Sequence, residues 1–208
     1  MLAGIAPTSA DDEARSKKRS KPKLLDLSGL VWIEGDVFLA VSDAKYPDEA
    51  SLTRVSLLTL PRSLDGIGFH PLSPRFPGDL SSDFESAAGI PGSKKFLLVE
   101  CSDGGGKYQR IFLAKITGKQ IKKKQVRILD QVEWGSFTVA TNVEASAVAK
   151  TDTGSGLIFI WAERNPEKQS TDIQWTDLQL HPFAIGGTGV KSVVFTLPSD
   201  LTTGAGTP

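Results

Sequence analysis

The chain has 208 residues, of which 39% are hydrophobic and 23% are charged, and its 24 basic side chains balance its 24 acidic ones. This length and composition fit a globular protein with a real core, and they exclude a wholly disordered, collagen-like or coiled-coil chain. No run of 18 apolar residues occurs, so no membrane span is expected, and the balanced charge gives no reason to expect nucleic acid as the main partner.

Both ends of the chain have the composition of tails. Residues 1–25 include six basic residues within positions 15–23 and show no hydrophobic periodicity, so a disordered basic tail is expected there. Thr8-Ser9-Ala10 looks like a signal-peptidase site, although the apolar stretch before it is short for a signal region. Residues 201–208 are rich in Thr and Gly and are expected to be a disordered or truncated tail.

Between the tails, strand-length apolar runs alternate with Gly, Asp, Pro and Ser, and no segment has a convincing helical periodicity. Twelve strands are predicted, in three sets of four. The first set is 30–32, 36–41, 52–60 and 66–72; the second is 85–90, 95–100, 110–117 and 125–132; the third is 144–149, 157–162, 173–180 and 193–197. The chain is therefore predicted to be all-β.

The three sets align with one another. They open with Leu27-Ser28-Gly29-Leu30, Phe84-Glu85-Ser86-Ala87 and Val143-Glu144-Ala145-Ser146, which start 57 and 59 residues apart and follow Asp26, Asp83 and Asn142. The second strands also align, as 38–42, 96–100 and 159–163, and each begins with Phe. A period of about 58 residues with four short strands per unit is typical of a β-propeller, because one four-stranded blade needs neighbours to cover its faces.

We therefore predict three propeller blades in residues 26–200, with approximate limits of 26–82, 83–141 and 142–200. A closed propeller typically has four to eight blades, so three blades leave two blade faces uncovered. Two completions are open at this point. Further blades could follow Pro208 in a longer chain, or a homodimer could close a six-bladed ring by symmetry.

These motifs resemble those of the phytase-like, also called esterase-like, six-bladed propellers and their uncharacterised relatives. The copy in residues 142–165, with its Glu-Arg-Asn ending, is the most similar, whereas Ser28 replaces Glu in the first copy and the Gly of the motif survives only at Gly29. The resemblance covers roughly residues 26–165. It implies an exported bacterial protein, so a periplasmic or secreted location is expected, with a cytoplasmic one as the alternative.

Propeller geometry predicts where the repeated polar residues lie, because the innermost strands line an axial channel and bring equivalent residues together. Two equivalent sets are expected: Ser28, Glu85 and Glu144 in the first strands, and Ser42, Glu100 and Glu163 at the ends of the second strands. Converging carboxylates repel one another unless they are paired, protonated or hydrated. Ca²⁺, with six to eight oxygen ligands, is one solution, and Arg164 or Arg110 is another. A third is that each Glu accepts backbone N–H bonds and ties one blade to the next.

The resemblance implies a calcium-dependent hydrolase of phosphate or other esters, in which the metal polarises the substrate and activates water. The candidate metal ligands are Glu85, Glu144, Glu100, Glu163, Asp43 and Asp83. Arg164 and Arg110 are the candidates for binding a small anionic or ester substrate through the guanidinium group. The competing hypothesis is a non-catalytic propeller scaffold that binds a protein or a small ligand at its funnel or blade edges.

Three further features favour structural roles. Cys101 is the single cysteine, so it forms no intrachain disulfide and is expected to be a small buried or half-buried side chain. Lys122-Lys123-Lys124 is expected at an exposed strand start and not in a nucleic-acid site. Trp32 and Trp161 fall in predicted inner strands and are expected to pack between blades.

Overall fold

The structure is a computed structural model of the chain and describes residues 27–43, 53–61, 66–78, 83–101, 108–138, 142–165 and 170–196. The predicted tails at 1–25 and 201–208, and the opening residue Asp26, lie outside the described residues. Within these limits the chain is all-β, as predicted, with two single-turn 3-10 helices and no α-helix. In this part of the chain, no helix is both long enough and apolar enough to span a bilayer.

Three antiparallel sheets contain the thirteen strands of the described residues. Sheet 1 consists of β1 (Leu27–Glu34), β2 (Val37–Ser42), β3 (Val55–Thr59) and β4 (Gly68–Leu72). Sheet 2 consists of β5 (Phe84–Gly89), β6 (Lys95–Glu100), β7 (Arg110–Thr117) and β8 (Gln125–Glu133), with the 3-10 turns at Ile121–Lys123 and Trp134–Ser136. Sheet 3 consists of β9 (Val143–Lys150), β10 (Leu157–Asn165), β11 (Ser170–Leu180), β12 (Phe183–Ile185) and β13 (Lys191–Thr196).

All twelve predicted strands are present, and their ends differ from the predicted ones by no more than three residues. In sheets 1 and 2 each strand pairs with the next along the chain. Sheet 3 departs from this pattern because β11 is long enough to pair with β12 near its end and with β13 near its start. Strand β12 was not predicted, since three residues are too few to show an alternating pattern.

The sheets stack in chain order, and one sheet packs on the next through apolar side chains. Strand β6 shows how the sequence allows this, because successive side chains of a strand point to opposite faces. Phe96 and Leu98 pack on sheet 1, whereas Leu97 and Val99 pack on sheet 3. Sheet 2 is therefore covered on both faces, which explains why its central strand is apolar without a break. The first strands β1, β5 and β9 lie side by side.

Strand β1 approaches β5 most tightly where the sequence has Gly29. A Cβ atom at this position would lie 2.8 Å from the backbone N of Ala87 and 3.0 Å from the Cα of Ser86. Backbone atoms cannot move aside as a flexible side chain can, so a larger residue is excluded without a shift of the sheets. The survival of the motif's glycine in the first copy alone thus has a packing explanation.

Each sheet lies inside one of the three ranges predicted as repeats, 26–82, 83–141 and 142–200. In each repeat the first strand lies beside the first strand of a neighbouring repeat, and the later strands follow outward toward the far edge of the sheet. The described residues form an open stack of three sheets and not a closed ring.

Candidate functional site

The first two strands of every sheet pair with the same irregularity. One residue of the first strand is left out of the register as a β-bulge: Ser28 in sheet 1, Glu85 in sheet 2 and Glu144 in sheet 3. A bulge bends its strand and re-aims a side chain. The predicted set of first-strand residues therefore occupies equivalent positions, at one end of three adjacent strands.

The second predicted set also occupies equivalent positions. Ser42, Glu100 and Glu163 each lie opposite the first residue of the first strand in their sheet. All three are buried. Their side chains nevertheless have different partners in the three sheets, as the following paragraphs describe.

A residue with left-handed backbone geometry precedes β5 and β9. The φ angle is 56° at Asp83 and 55° at Asn142, a region that Asp and Asn tolerate better than other non-glycine residues. The carbonyl of Asp83 accepts a bond from the N–H of Cys101 at 3.0 Å, and that of Asn142 accepts one from the N–H of Arg164 at 3.3 Å. The residues that open the second and third repeats, Asp83 and Asn142, thus have a backbone role.

Asp83, Glu85 and Cys101 form an acidic cluster at the start of β5. One ligand atom from each residue lies within 4.8 Å of the other two. Asp83 and Cys101 are buried and Glu85 is half-buried. Within the described ranges no other group of three His, Cys, Asp or Glu residues comes this close. The structure thus brings together two of the six predicted metal ligands and adds Cys101, for which a buried or half-buried structural position was expected.

Glu100 is bound by Arg110, which is the residue opposite it across the β6–β7 connection. The Arg110 Nη2 lies 2.9 Å from Oε1 of Glu100, and its Nε and backbone N lie 3.1 and 2.8 Å from Oε2. The guanidinium also stacks on Phe112, with 4.9 Å from Cζ to the ring centroid, and donates to the carbonyl of Pro77 at 3.2 Å. The predicted metal ligand Glu100 and the predicted substrate-binding Arg110 are therefore paired with each other. Of the three ways expected to stabilise the repeated carboxylates, pairing with an arginine is the one observed at Glu100.

Glu163 takes the equivalent position in sheet 3 but has neutral donors. Its Oε1 accepts bonds from Nε1 of Trp161 at 2.9 Å and from Nε2 of Gln174 at 2.7 Å. Both donors belong to β10 and β11, so the carboxylate connects two strands of its own sheet. Trp161 is itself buried against sheet 2, in agreement with its predicted packing role.

The remaining predicted site residues lie nearer to solvent. Nη2 of Arg164 pairs with Oε1 of Glu144 at 2.9 Å, and both side chains are exposed. Asp43 is half-buried directly after β2. None of these three residues joins the Asp83, Glu85 and Cys101 cluster. A substrate-binding role for Arg164 stays a prediction.

Serine side chains connect neighbouring first strands, a feature that the sequence reasoning missed. Oγ of Ser28 donates to the carbonyl of Phe84. Oγ of Ser86 lies 2.7 Å from Oγ of Ser146 and accepts a bond from its N–H at 2.8 Å. The sequence contains one Ser in each aligned opening tetrapeptide, at Ser28, Ser86 and Ser146. These serines are not at the same position of the motif, and Ser is too common a residue for this to indicate a role.

A cavity of about 510 Å³ opens between sheets 1 and 2, away from the predicted site residues. Its wall includes a pair between Nζ of Lys124 and Oε1 of Glu34 at 2.7 Å. This hydrogen bond and the positive charge of Lys124 hold the pKa of Glu34 below its usual range. Lys124 is buried and lies just after a 3-10 turn, so the expectation of an exposed strand start at Lys122-Lys123-Lys124 was wrong for this residue.

Asp177 holds the connection between β12 and β13, a role that no sequence motif indicated. Its Oδ1 accepts bonds from the backbone N–H of Thr188 at 2.6 Å and from the hydroxyls of Thr188 and Thr176 at 2.8 and 3.3 Å. Partial burial raises the pKa of Asp177, but the hydrogen bonds from Thr188 and Thr176 together lower it by more, so the net pKa lies below the usual value.

We expect Asp177→Asn to remove part of the acid sensitivity of this protein. The pKa is depressed in the folded state, so the stabilisation is present above the unfolded-state pKa of about 3.9 and is lost as the pH falls through the folded-state value. At neutral pH the variant should lose about 0.5–1 kcal/mol, a small effect because the site is partly hydrated. Urea unfolding at a series of pH values measures this, with the exposed Asp152→Asn as control. Equal stability differences at pH 7 and pH 2 would contradict it.

Comparison with known proteins assigns no family to the chain. No protein-family model matches it, and no curated protein matches it. The phytase-like resemblance consequently depends on the motif residues alone, within roughly residues 26–165.

Proposed function

We propose that this chain is a run of three β-propeller blades that serves as a binding scaffold and not as a hydrolase. The observation that carries the proposal is the use of the repeated glutamates. Glu100 is held by Arg110 of the neighbouring strand, and Glu163 is held by Trp161 of its own strand and by Gln174 of the neighbouring strand. A carboxylate bound in this way holds strands of one sheet in register, which is a structural role, although it differs from the predicted one in which each Glu ties one blade to the next.

The stacking of the sheets supports the propeller arrangement. Strands β1, β5 and β9 lie side by side, and strand order within each sheet leads away from them. A four-stranded blade in a propeller has the same layout, with its first strand nearest the axis and its faces against two neighbours. The serine bonds between successive first strands would then lie around the axial channel.

Hydrolysis assays on the purified full chain test the scaffold function. With p-nitrophenyl phosphate and p-nitrophenyl acetate, with and without Ca²⁺, we expect the rate to equal that of a Glu85→Ala, Glu144→Ala variant. Thermal unfolding of the same samples reports whether the variant remains folded. A rate that disappears in the variant while the melting temperature is unchanged would overturn the scaffold and favour the hydrolase.

The acidic cluster favours a second candidate function, a cation site formed by Asp83, Glu85 and Cys101. The two carboxylates are ligands that Ca²⁺ prefers, but Ca²⁺ takes six to eight oxygens, so water or other parts of the chain would have to supply the rest. The thiolate together with carboxylates is a donor set that suits Zn²⁺. When bound, such an ion supplies Lewis acidity and an activated water.

Separate calorimetric titrations with Ca²⁺ and Zn²⁺ test this candidate. Glu85→Gln should weaken the affinity for the ion at least tenfold, because it removes one charged ligand. Glu144→Gln is the matched control, because it occupies the same bulge position in sheet 3 and lies outside the cluster. Equal binding by the two variants, or neither heat nor thermal shift with either ion, would eliminate the cation site.

A further inference from the structure

The cavity between sheets 1 and 2 lies at the opposite end of β5 from the acidic cluster. Its lining comes from the end of β1, the β5–β6 turn and the β7–β8 connection, whereas the acidic cluster lies at the start of β5. Its volume of about 510 Å³ is within the range of about 300–1,000 Å³ that is usual for small-molecule sites. The cavity is therefore a separate candidate for ligand binding.

The charged side chains around this cavity are almost all positive, although the charges of the whole chain balance. Among the described residues, the lining contains one acidic residue, Glu34, and five lysines: Lys94, Lys95, Lys115, Lys119 and Lys124. Lys124 is paired with Glu34, and Nζ of Lys95 lies 3.0 Å from Nε2 of His181. Within the part of the chain that the structure describes, the other three lysines form no salt bridge. Clustered charges of one sign raise the local concentration of ligands of the opposite sign.

Lys124 differs from the other four lysines because it is buried in the cavity wall. Its side chain is 6% exposed, whereas that of Glu34 is 57% exposed. The β7–β8 connection holds Lys124 in this position. Gly118 has a φ angle of 92°, and a Cβ atom there would overlap the backbone of Lys123, so only glycine allows this tight return of the chain. An ammonium group, with three N–H donors, is thus a fixed part of the cavity.

Apolar side chains form the inner part of the cavity. The buried ones are Val31, Ile90, Phe96 and Ile116. Trp32 also lines the cavity but is 65% exposed, so the expectation that it packs between blades was wrong. Its Nε1 donates to the carbonyl of Gly35 at 3.0 Å, which orients the indole ring. An oriented aromatic ring beside apolar side chains offers a flat contact surface for another ring.

We propose that this cavity binds a small aromatic anion, with its ring against Trp32 and the apolar inner part and its acidic group paired with the lysines. Inorganic phosphate would leave the apolar surface uncovered, and a neutral aromatic molecule would leave the lysines without a counter-charge. A nucleic-acid strand fits less well, because proteins bind single strands along an extended groove. The inference goes beyond the scaffold function, since it depends neither on the propeller arrangement nor on the absence of hydrolysis.

Calorimetric titration of the full chain with 2-naphthoate tests the site. We expect saturable binding at a single site. Inorganic phosphate, which has the charge without the ring, and 2-naphthalenemethanol, which has the ring without the charge, should each bind about tenfold more weakly or worse. A factor of about ten corresponds to the loss of one hydrogen bond to a charged group.

Two double variants distinguish the cavity from general positive charge. Lys115→Gln with Lys119→Gln removes two charges from the lining and should weaken 2-naphthoate binding about tenfold or more. Lys122→Gln with Lys123→Gln is the matched control, because these exposed lysines belong to the neighbouring 3-10 turn and not to the lining. The control should bind 2-naphthoate as the wild type does. Thermal unfolding of both double variants checks that they are folded.

Two single variants test the ring contact and the competing acid. Trp32→Ala should weaken the binding of 2-naphthoate but not that of phosphate. Glu34→Gln should strengthen the binding of 2-naphthoate, because it removes the acid that competes for Lys124. A cavity with a purely structural role would show neither change in affinity.

The absence of 2-naphthoate binding by the wild type would overturn the inference. Equal losses of affinity in the two double variants would also overturn it, because a diffuse cationic surface would then explain the binding. A single-stranded oligothymidylate that displaces 2-naphthoate and is weakened equally in both double variants would assign the lysines to nucleic acid instead. Ester hydrolysis by a chain that binds 2-naphthoate as expected would overturn the scaffold function alone.

Discussion

Replacing Glu100 with Gln is expected to lower the free energy of unfolding by about 3–5 kcal/mol, because it leaves the guanidinium of Arg110 without its counter-charge in a buried place. The Glu100 side chain is fully buried and that of Arg110 is 14% exposed. Three N–H groups of Arg110 converge on the two carboxylate oxygens, and an amide accepts through one oxygen only. Urea unfolding at neutral pH measures the loss.

Glu144→Gln is the internal control for this effect. Glu144 also pairs with an arginine, at 2.9 Å from Nη2 of Arg164, but both side chains are exposed. Exposed pairs contribute about 0–1 kcal/mol, so the control should lose little. If both variants lost the same free energy of unfolding, or if Glu100→Gln lost less than the control, the ion pair would not stabilise the fold as the scaffold function requires.

The repeat was the part of the fold that the sequence predicted best. Strands of one sheet align with those of the next because equivalent residues must fill the same sites between stacked sheets, as Phe96 and Phe159 do. The same alignment predicted that Glu85 and Glu144 occupy equivalent positions, but not that these positions are β-bulges. Strand β12 and the branching of sheet 3 did not, since they interrupt the period that carried the prediction.

The partners of the site residues could not be predicted from the spacing of the motifs. The alignment places Glu100 and Glu163 at the same position, but one is bound by Arg110 and the other by Trp161 and Gln174. Arg110 and Gln174 come from strands outside the aligned motif, whereas Trp161 lies inside it, and nothing in the motif distinguishes an arginine from a metal ion as counter-charge. Cys101 approaches Asp83 and Glu85 because β5 and β6 are paired, which the separation in sequence does not reveal.

The repeat also provides a matched pair of core substitutions, Phe159→Ala and Phe38→Ala. Phe159 is fully buried, with ring centroids 5.4 Å from Trp161 and 5.8 Å from Trp134. Its removal leaves a cavity among aromatic rings and should lower the free energy of unfolding by about 3–5 kcal/mol. Phe38 occupies the same position in sheet 1 but faces outward. Because Phe38 is only half-buried, its removal should lower the free energy of unfolding by about 1 kcal/mol or less.

Urea unfolding of both variants at the same protein concentration measures the two losses. Equal losses would contradict the difference in burial between Phe38 and Phe159, because they would show that the position in sheet 1 is packed as tightly as the one in sheet 3.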